Sequence, residues 1–140
     1  MKAIIVGCGR VGSRLACEMA NQGHEVTVID RSQVQLDLAA SRGALPADFT
    51  GTAVVGDGTD PELLKRAGIE NADVFIAVTE GDNRNIMAAQ IAQAIYKVPK
   101  VVCRINDPVR EEAYRKMGLQ TYCPTIVGAN SILAMVGGKS

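Results

Sequence analysis

A glycine triplet set between an apolar run and an amphipathic segment is the tightest constraint on how this chain can fold. Ala3 to Val6 are four consecutive apolar residues, as in a strand buried on both faces of a parallel sheet. Gly7, Gly9 and Gly12 follow with the spacing G-x-G-x-x-G, opening a helical pattern whose apolar positions are Val11, Leu15, Ala16 and Met19. Each glycine has its own task. Gly7 permits a tight exit from the strand, Gly9 lets a pyrophosphate approach the backbone, and Gly12 lets the helix pack closely on the strand. Because the helix starts at the loop, its unpaired N–H groups and positive dipole end face a bound phosphate.

The triplet alone would also suit an ordinary glycine-rich turn, so its context decides. A second apolar run, Val26 to Ile29, ends in Asp30, 18 residues beyond Gly12. That is close to the ~20-residue spacing of the carboxylate that accepts from a ribose hydroxyl. Strand, loop, helix, strand and acid thus occur in the order a dinucleotide site needs.

The same alternation continues along the chain. A helix is predicted over 32–42, capped by Ser32, and a strand over 53–55. After Gly56–Asp60 comes a short helix with Thr59 or Asp60 as cap and Pro61 in its first turn, ending near Gly68. Val74 to Val78 is a fourth strand, and a long helix is predicted from about Asn83 to Tyr96. Val101 to Cys103 is a fifth strand. Asp107-Pro108 opens a helix that stops at Gly118, and Thr121 to Cys123 is a sixth strand. An apolar helix carrying Ile126, Val127, Ile132, Leu133 and Val136 closes the pattern, with residues 137–140 expected to be unstructured. This predicts an α/β doubly wound, Rossmann-like sheet of six parallel strands in the order 3-2-1-4-5-6. Residues 1–123 form the nucleotide-binding unit. Residues 124–140 form a helix and tail expected to contribute to contact between copies, because its apolar positions are not confined to one stripe.

At 140 residues the chain suits one domain, and its zero net charge gives no electrostatic drive towards nucleic acid or a membrane surface. No apolar run approaches the ~18 residues that would insert into a bilayer. Strand one begins at once, which leaves no room for a signal peptide and implies a cytoplasmic protein. The four cysteines, Cys8, Cys17, Cys103 and Cys123, include no C-x-x-C pair, and His24 is the one histidine, so a metal site is not expected. Cys8 lies at a helix N-terminus, a setting that lowers a thiol pKa; it is either a packed small residue or a redox sensor. His24 precedes strand two and falls at the sheet's amino end, away from ligands bound at the carboxyl ends.

The candidate stretches at those carboxyl ends are 7–12, 30–31, 56–60, 78–85, 104–108 and the turn at Pro124. Several residues carry a family resemblance together. Val6 to Gly12, His24 to Asp30, Gly56 to Thr59, Leu64 to Ile69, Asn71 to Asp73, Val78-Thr79, Asn85 and Cys103-Arg104 occur in this order over nearly the whole chain. The pattern resembles the nucleotide-binding domain of RCK (regulator of K+ conductance) proteins, also called KTN or TrkA-N domains. These are cytosolic gating subunits or domains of potassium channels and transporters.

The resemblance implies an adenine nucleotide, NAD(H) or ATP/ADP, lying across strands one to four. It places Gly7, Gly9, Val11 and Gly12 at the phosphates, with Arg10 and Arg104 as phosphate-side cations. Asp30, beside Arg31, would hold the adenosine ribose. Asp57, Gly58 and Thr59 would line the adenine pocket, and Thr79 the second half of the ligand. Two of these residues have equally ordinary roles open to them: Asp57 as a helix cap, and Arg104 as a strand-end ion-pair partner. The family commonly has alanine or serine where this chain has Gly58, which keeps a small residue at the adenine. Glu80 and Asp82 are loop acids that suit either solvation or a divalent ion beside phosphate. The implied partners are further copies of the chain and a membrane-embedded potassium channel or transporter subunit, often with a second, C-terminal regulatory domain. The competing function is the cofactor half of an NAD-dependent oxidoreductase, which would need a general acid or base at the strand ends and a substrate-binding segment.

Overall fold

The computed structural model describes residues 1–138. Its strands are β1 (Lys2–Val6), β2 (Glu25–Asp30), β3 (Thr52–Val55), β4 (Val74–Ala77), β5 (Lys100–Arg104) and β6 (Gln120–Tyr122). All pair in parallel, in the order β3-β2-β1-β4-β5-β6. Between them run α1 (Arg10–Asn21), α2 (Gln33–Ser41), α3 (Pro61–Arg66), α4 (Asp82–Gln90) and α5 (Pro108–Lys116), with α6 (Pro124–Met135) after the last strand.

Strand periodicity divides the core into two layers. Alternate side chains point to opposite faces of a strand, and both faces are covered here. Ile4, Val6, Ile29, Phe75 and Ala77 pack with Leu63 and Leu64 of α3 and with Ile86 and Ala89 of α4. Ala3, Ile5, Val26, Val28 and Ile76 pack on the other face with Ala16 and Ala20 of α1 and with Leu36 and Ala39 of α2. The first two crossovers thus cover one face and the next two the other. The chain reverses direction beside β1, which opens a crevice at the strands' carboxyl ends.

Helix starts follow the capping rules. Ser32 Oγ accepts from Gln35 N–H, Asp60 Oδ1 from Glu62 N–H and Asp107 Oδ1 from Val109 N–H. Asp60, not Thr59 or Asp57, is therefore the cap of α3.

Several elements differ from their sequence expectation. Val11 is exposed, whereas Ala16 is buried and Leu15 and Met19 pack partly buried against the core, with Gly12, Ser13 and Ala20 completing the buried face of α1. The long helix after β4 changes to a π turn over Ile91–Ile95, where Tyr96 N–H reaches the carbonyl of Ile91. This keeps Ala92 in the core while Ile95 faces outwards. The sixth strand lies one residue earlier than predicted, with Cys123 left as the N-cap of α6. Gly137 and Gly138, expected in an unstructured tail, close α6 instead. Gly137 takes a φ of +84°, its N–H reaches Ala134 O, and Gly138 N–H reaches Leu133 O at 2.7 Å, a Schellman cap. Lys139 and Ser140, the rest of that tail, lie outside the described residues. No residue of α6 is buried.

Candidate functional site

The crevice is an open cleft of ≈ 790 Å³, within the size range of small-molecule sites. Its floor is the glycine loop. Gly7 has a φ of +112°, and an added Cβ would lie 2.8 Å from the Val78 carbonyl carbon, so only glycine lets β1 turn beside β4. A Cβ on Gly12 would collide with the backbone of Gly7. Gly9 differs: an added Cβ would meet only the Gln35 side-chain nitrogen, at 3.5 Å, and its own φ of −77° suits any residue. Gly7 and Gly12 are thus required by the fold, whereas Gly9 presents open backbone to the cleft. Two helices, α1 and α4, begin at the cleft after Gly9 and Gly81, and neither first turn is capped by a side chain. Free backbone N–H groups at such starts favour an anion.

Asp30 ties the loop to β2. Its Oδ2 accepts from Cys8 N–H at 2.8 Å and its Oδ1 from Ser32 N–H at 2.9 Å. Each carboxylate oxygen accepts one bond and so has capacity left for a hydroxyl donor, and Asp30 lines the cleft. Beyond it, Asp57 Oδ1 accepts from both the hydroxyl and the N–H of Thr59, at 2.7 and 2.9 Å. Those two bonds, chiefly the hydroxyl's, hold the Asp57 carboxyl below its ordinary pKa, with the Arg31 guanidinium adding to the effect against some burial. Asp57 is therefore an ionised lining group and not a helix cap. Gly58 packs against Val6, so that a Cβ there would press on the valine side chain. The alanine or serine common in the family would need Val6 to move in this chain.

The far wall is the β4–α4 loop. Asn85 is fully buried and uses its whole amide. Its Oδ1 accepts from Thr79 N–H and Thr79 Oγ1–H, and its Nδ2 donates to the carbonyls of Thr79 and Arg104. Asp82 clasps the next loop, accepting from Asn106 N–H at 2.8 Å and Asp107 N–H at 3.1 Å.

Of the residues singled out from the sequence, Gly7, Gly9, Asp30, Arg31, Asp57, Gly58, Thr59 and Thr79 meet around this cleft. Arg10, Val11, Gly12 and Arg104 do not line it. Arg10 lines a separate, smaller depression with Arg14 and Arg42. Gly12 is under the loop, and Arg104 Nε turns to Asn106 Oδ1. Cleft residues not anticipated individually include Gln35, Arg84 and Arg110. Each lies in the first turn of a helix that follows a strand's carboxyl end, and that position was the available signal. His24 is not a lining residue. The Cys8 thiol is buried and its pKa is pushed up to about 11 by desolvation and the nearby Asp30 carboxylate, opposed by Arg42, so it is a packed residue and not an activated thiol.

Among known proteins, the TrkA-N domain family model matches residues 3–124. A Trk system potassium uptake protein TrkA from Streptomyces coelicolor is 46% identical over 121 residues, covering 86% of this chain and 52% of that protein. The chain therefore spans about half the length of that relative. The TrkA-N domain of the inner membrane protein YbaL from Escherichia coli superposes with a TM-score of 0.78 at 22% identity, over 96% of this chain and 95% of the other. The Kef C-terminal domain of Shewanella denitrificans, solved in an AMP-bound form, gives 0.77 at 21% identity, over 99% and 83%. At these identities the two structures speak for the fold alone. The family model and the Streptomyces relative, matched along nearly the whole chain, decide the affiliation: the chain belongs to the TrkA-N domain family.

Proposed function

We propose that this domain is a nucleotide-responsive regulator, binding an adenine nucleotide in the cleft and, as a dimer or larger assembly, gating a potassium transporter from the cytoplasmic side. The observation that carries this reading is the open backbone of Gly9 beside the half-committed carboxylate of Asp30, at the crevice where the sheet reverses. A phosphate fits the first and a ribose hydroxyl the second. The names of two similar proteins, a potassium uptake component and an AMP-bound domain, support the same ligand class and the same setting. Among the described residues no helix is long and apolar enough to cross a membrane, so the reading assigns ion passage to a partner.

The oxidoreductase alternative has less support. The residues lining the cleft include no histidine, lysine or tyrosine to move a proton to or from an alcohol. Sustained NADH production from a panel of alcohols and 2-hydroxy acids would overturn the regulatory reading.

The direct test is Gly9→Val. The side chain enters the cleft where phosphate would meet backbone, yet touches little of the fold. Calorimetric titration with adenine nucleotides is expected to show binding to the wild type and none to the variant, with an unchanged helical CD signal. Equal affinity in the folded variant would remove the proposed site.

A further inference from the structure

The two halves of the cleft differ in chemistry. The half beside β2 and β3 offers apolar surface from Val6 and Ile29 as well as polar groups. The half beside β4 offers one apolar side chain, Val78, and is otherwise polar, from Thr79 to Arg84 with Asn106 and Arg110. Its charges are unequally committed. Asp82 spends both carboxylate oxygens on backbone N–H groups, and Glu80 is the remaining acid, exposed at the rim. Arg84 is half-buried, and no hydrogen bond or ion pair to it occurs among the described residues. Arg110 is steered by Asn83, to whose Oδ1 it donates at 2.6 Å, and has no carboxylate partner among the described residues.

We propose that Arg84 and Arg110 make this half a receptor for terminal phosphate, so that the cleft selects ADP or ATP over AMP and over nicotinamide dinucleotides. The inference rests on the adenine-nucleotide reading above and names the class of ligand. A partly buried arginine with no carboxylate partner among the described residues is stabilised when an anion meets it, and phosphate matches its donor fork. A nicotinamide ring has the opposite needs. It gains from aromatic or extended apolar surface, of which this half offers only Val78, and its oxidised form carries positive charge that two arginines repel. A first phosphate at the Gly9 loop is common to all these ligands; whatever continues towards β4 meets Arg84.

The test is titration of the wild type and Arg84→Ala with AMP, ADP, ATP, NAD+ and NADH, without divalent ions. ADP and ATP are expected to bind the wild type at least about tenfold more tightly than AMP or NAD+. Arg84→Ala should remove about tenfold from ADP and ATP, the scale of one charge-assisted hydrogen bond, while changing AMP less than about twofold. A thermal melt of the unliganded variant controls for folding. Equal binding of AMP and ADP, tighter binding of NADH than of ADP, or an equal loss for AMP in the variant would each overturn the proposal while leaving an adenine-nucleotide site in place. Failure of all five ligands to bind the wild type would overturn that site too.

Discussion

Asp30 illustrates how one side chain serves the fold and, in the proposed function, the ligand as well. Its two oxygens accept from the N–H groups of Cys8 and Ser32, so it holds the glycine loop in shape before any ribose arrives. Asp30→Ala would leave the buried Cys8 N–H without its partner, at a cost of about 1–3 kcal/mol, and any loss of affinity would mix loop disorder with lost ligand contact. Gly9, which the fold does not need as glycine, gives the cleaner experiment. Cys8 supplies an independent check on the same loop. With its pKa raised to about 11, the neutral thiol is the favoured form at neutral pH, and reactivity should climb only as the pH approaches that value. At pH 8 roughly one thiol in a thousand would be ionised. Brief alkylation of the folded protein at pH 8, followed by peptide mass spectrometry, should therefore label the half-exposed Cys17 first and spare Cys8. Prompt labelling of Cys8 would mean that the loop opens in solution.

At the scale of elements, the cleft's far wall depends on two clasps between loops, and Asn85 is the more heavily used. Asn85→Ala removes four hydrogen bonds and leaves Thr79 N–H and two carbonyls to find other partners. A destabilisation of about 2–4 kcal/mol is expected, read from the denaturant midpoint at unchanged m-value. A loss below about 1 kcal/mol would show that water replaces the clasp at no real cost. Asn85 also shows what a sequence can and cannot disclose. The alternation of apolar runs with helical patterns was enough to place all six strands in order, because periodicity and crossover handedness leave few arrangements. The near side of the cleft was equally readable, since Gly7, Gly9 and Asp30 lie at spacings set by the βαβ unit. The far side was not. Whether Arg84 or Arg110 reaches the cleft depends on the phase of a helix's first turn, and the closeness of Gly58 to Val6 depends on how a loop lies over β1. Neither has a counterpart in residue spacing. The π turn after α4 is unannounced in the same way, with no glycine or proline within Ile91–Ile95.

For the whole molecule the unsettled surface is α6. Its apolar side chains find no cover on their own sheet: Ile132 is 63% exposed, Leu133 44% and Val136 75%. Capped at one end by Gly137 and Gly138 and fixed at the other through Thr125 Oγ1, which donates to Asn106 O at 2.7 Å, the helix is nevertheless a defined element. In the proposed function this exposed apolar area is an interface with a second copy of the chain, since a ligand can gate only by favouring one arrangement of an assembly over another. Asn106 itself lines the cleft, so the base of α6 lies one residue from the proposed phosphate-binding half. Light scattering should therefore find the wild type at twice the protomer mass at micromolar concentration. Ile132→Glu combined with Val136→Glu, both at exposed positions, should give a monomer with the same CD spectrum, because neither residue supports the fold of its own chain. A monomeric wild type would leave the proposed regulation without a moving interface. A dimer that survived both charges would place the contact on another face, and the cover for α6 would then have to come from the transporter or from a segment beyond this domain.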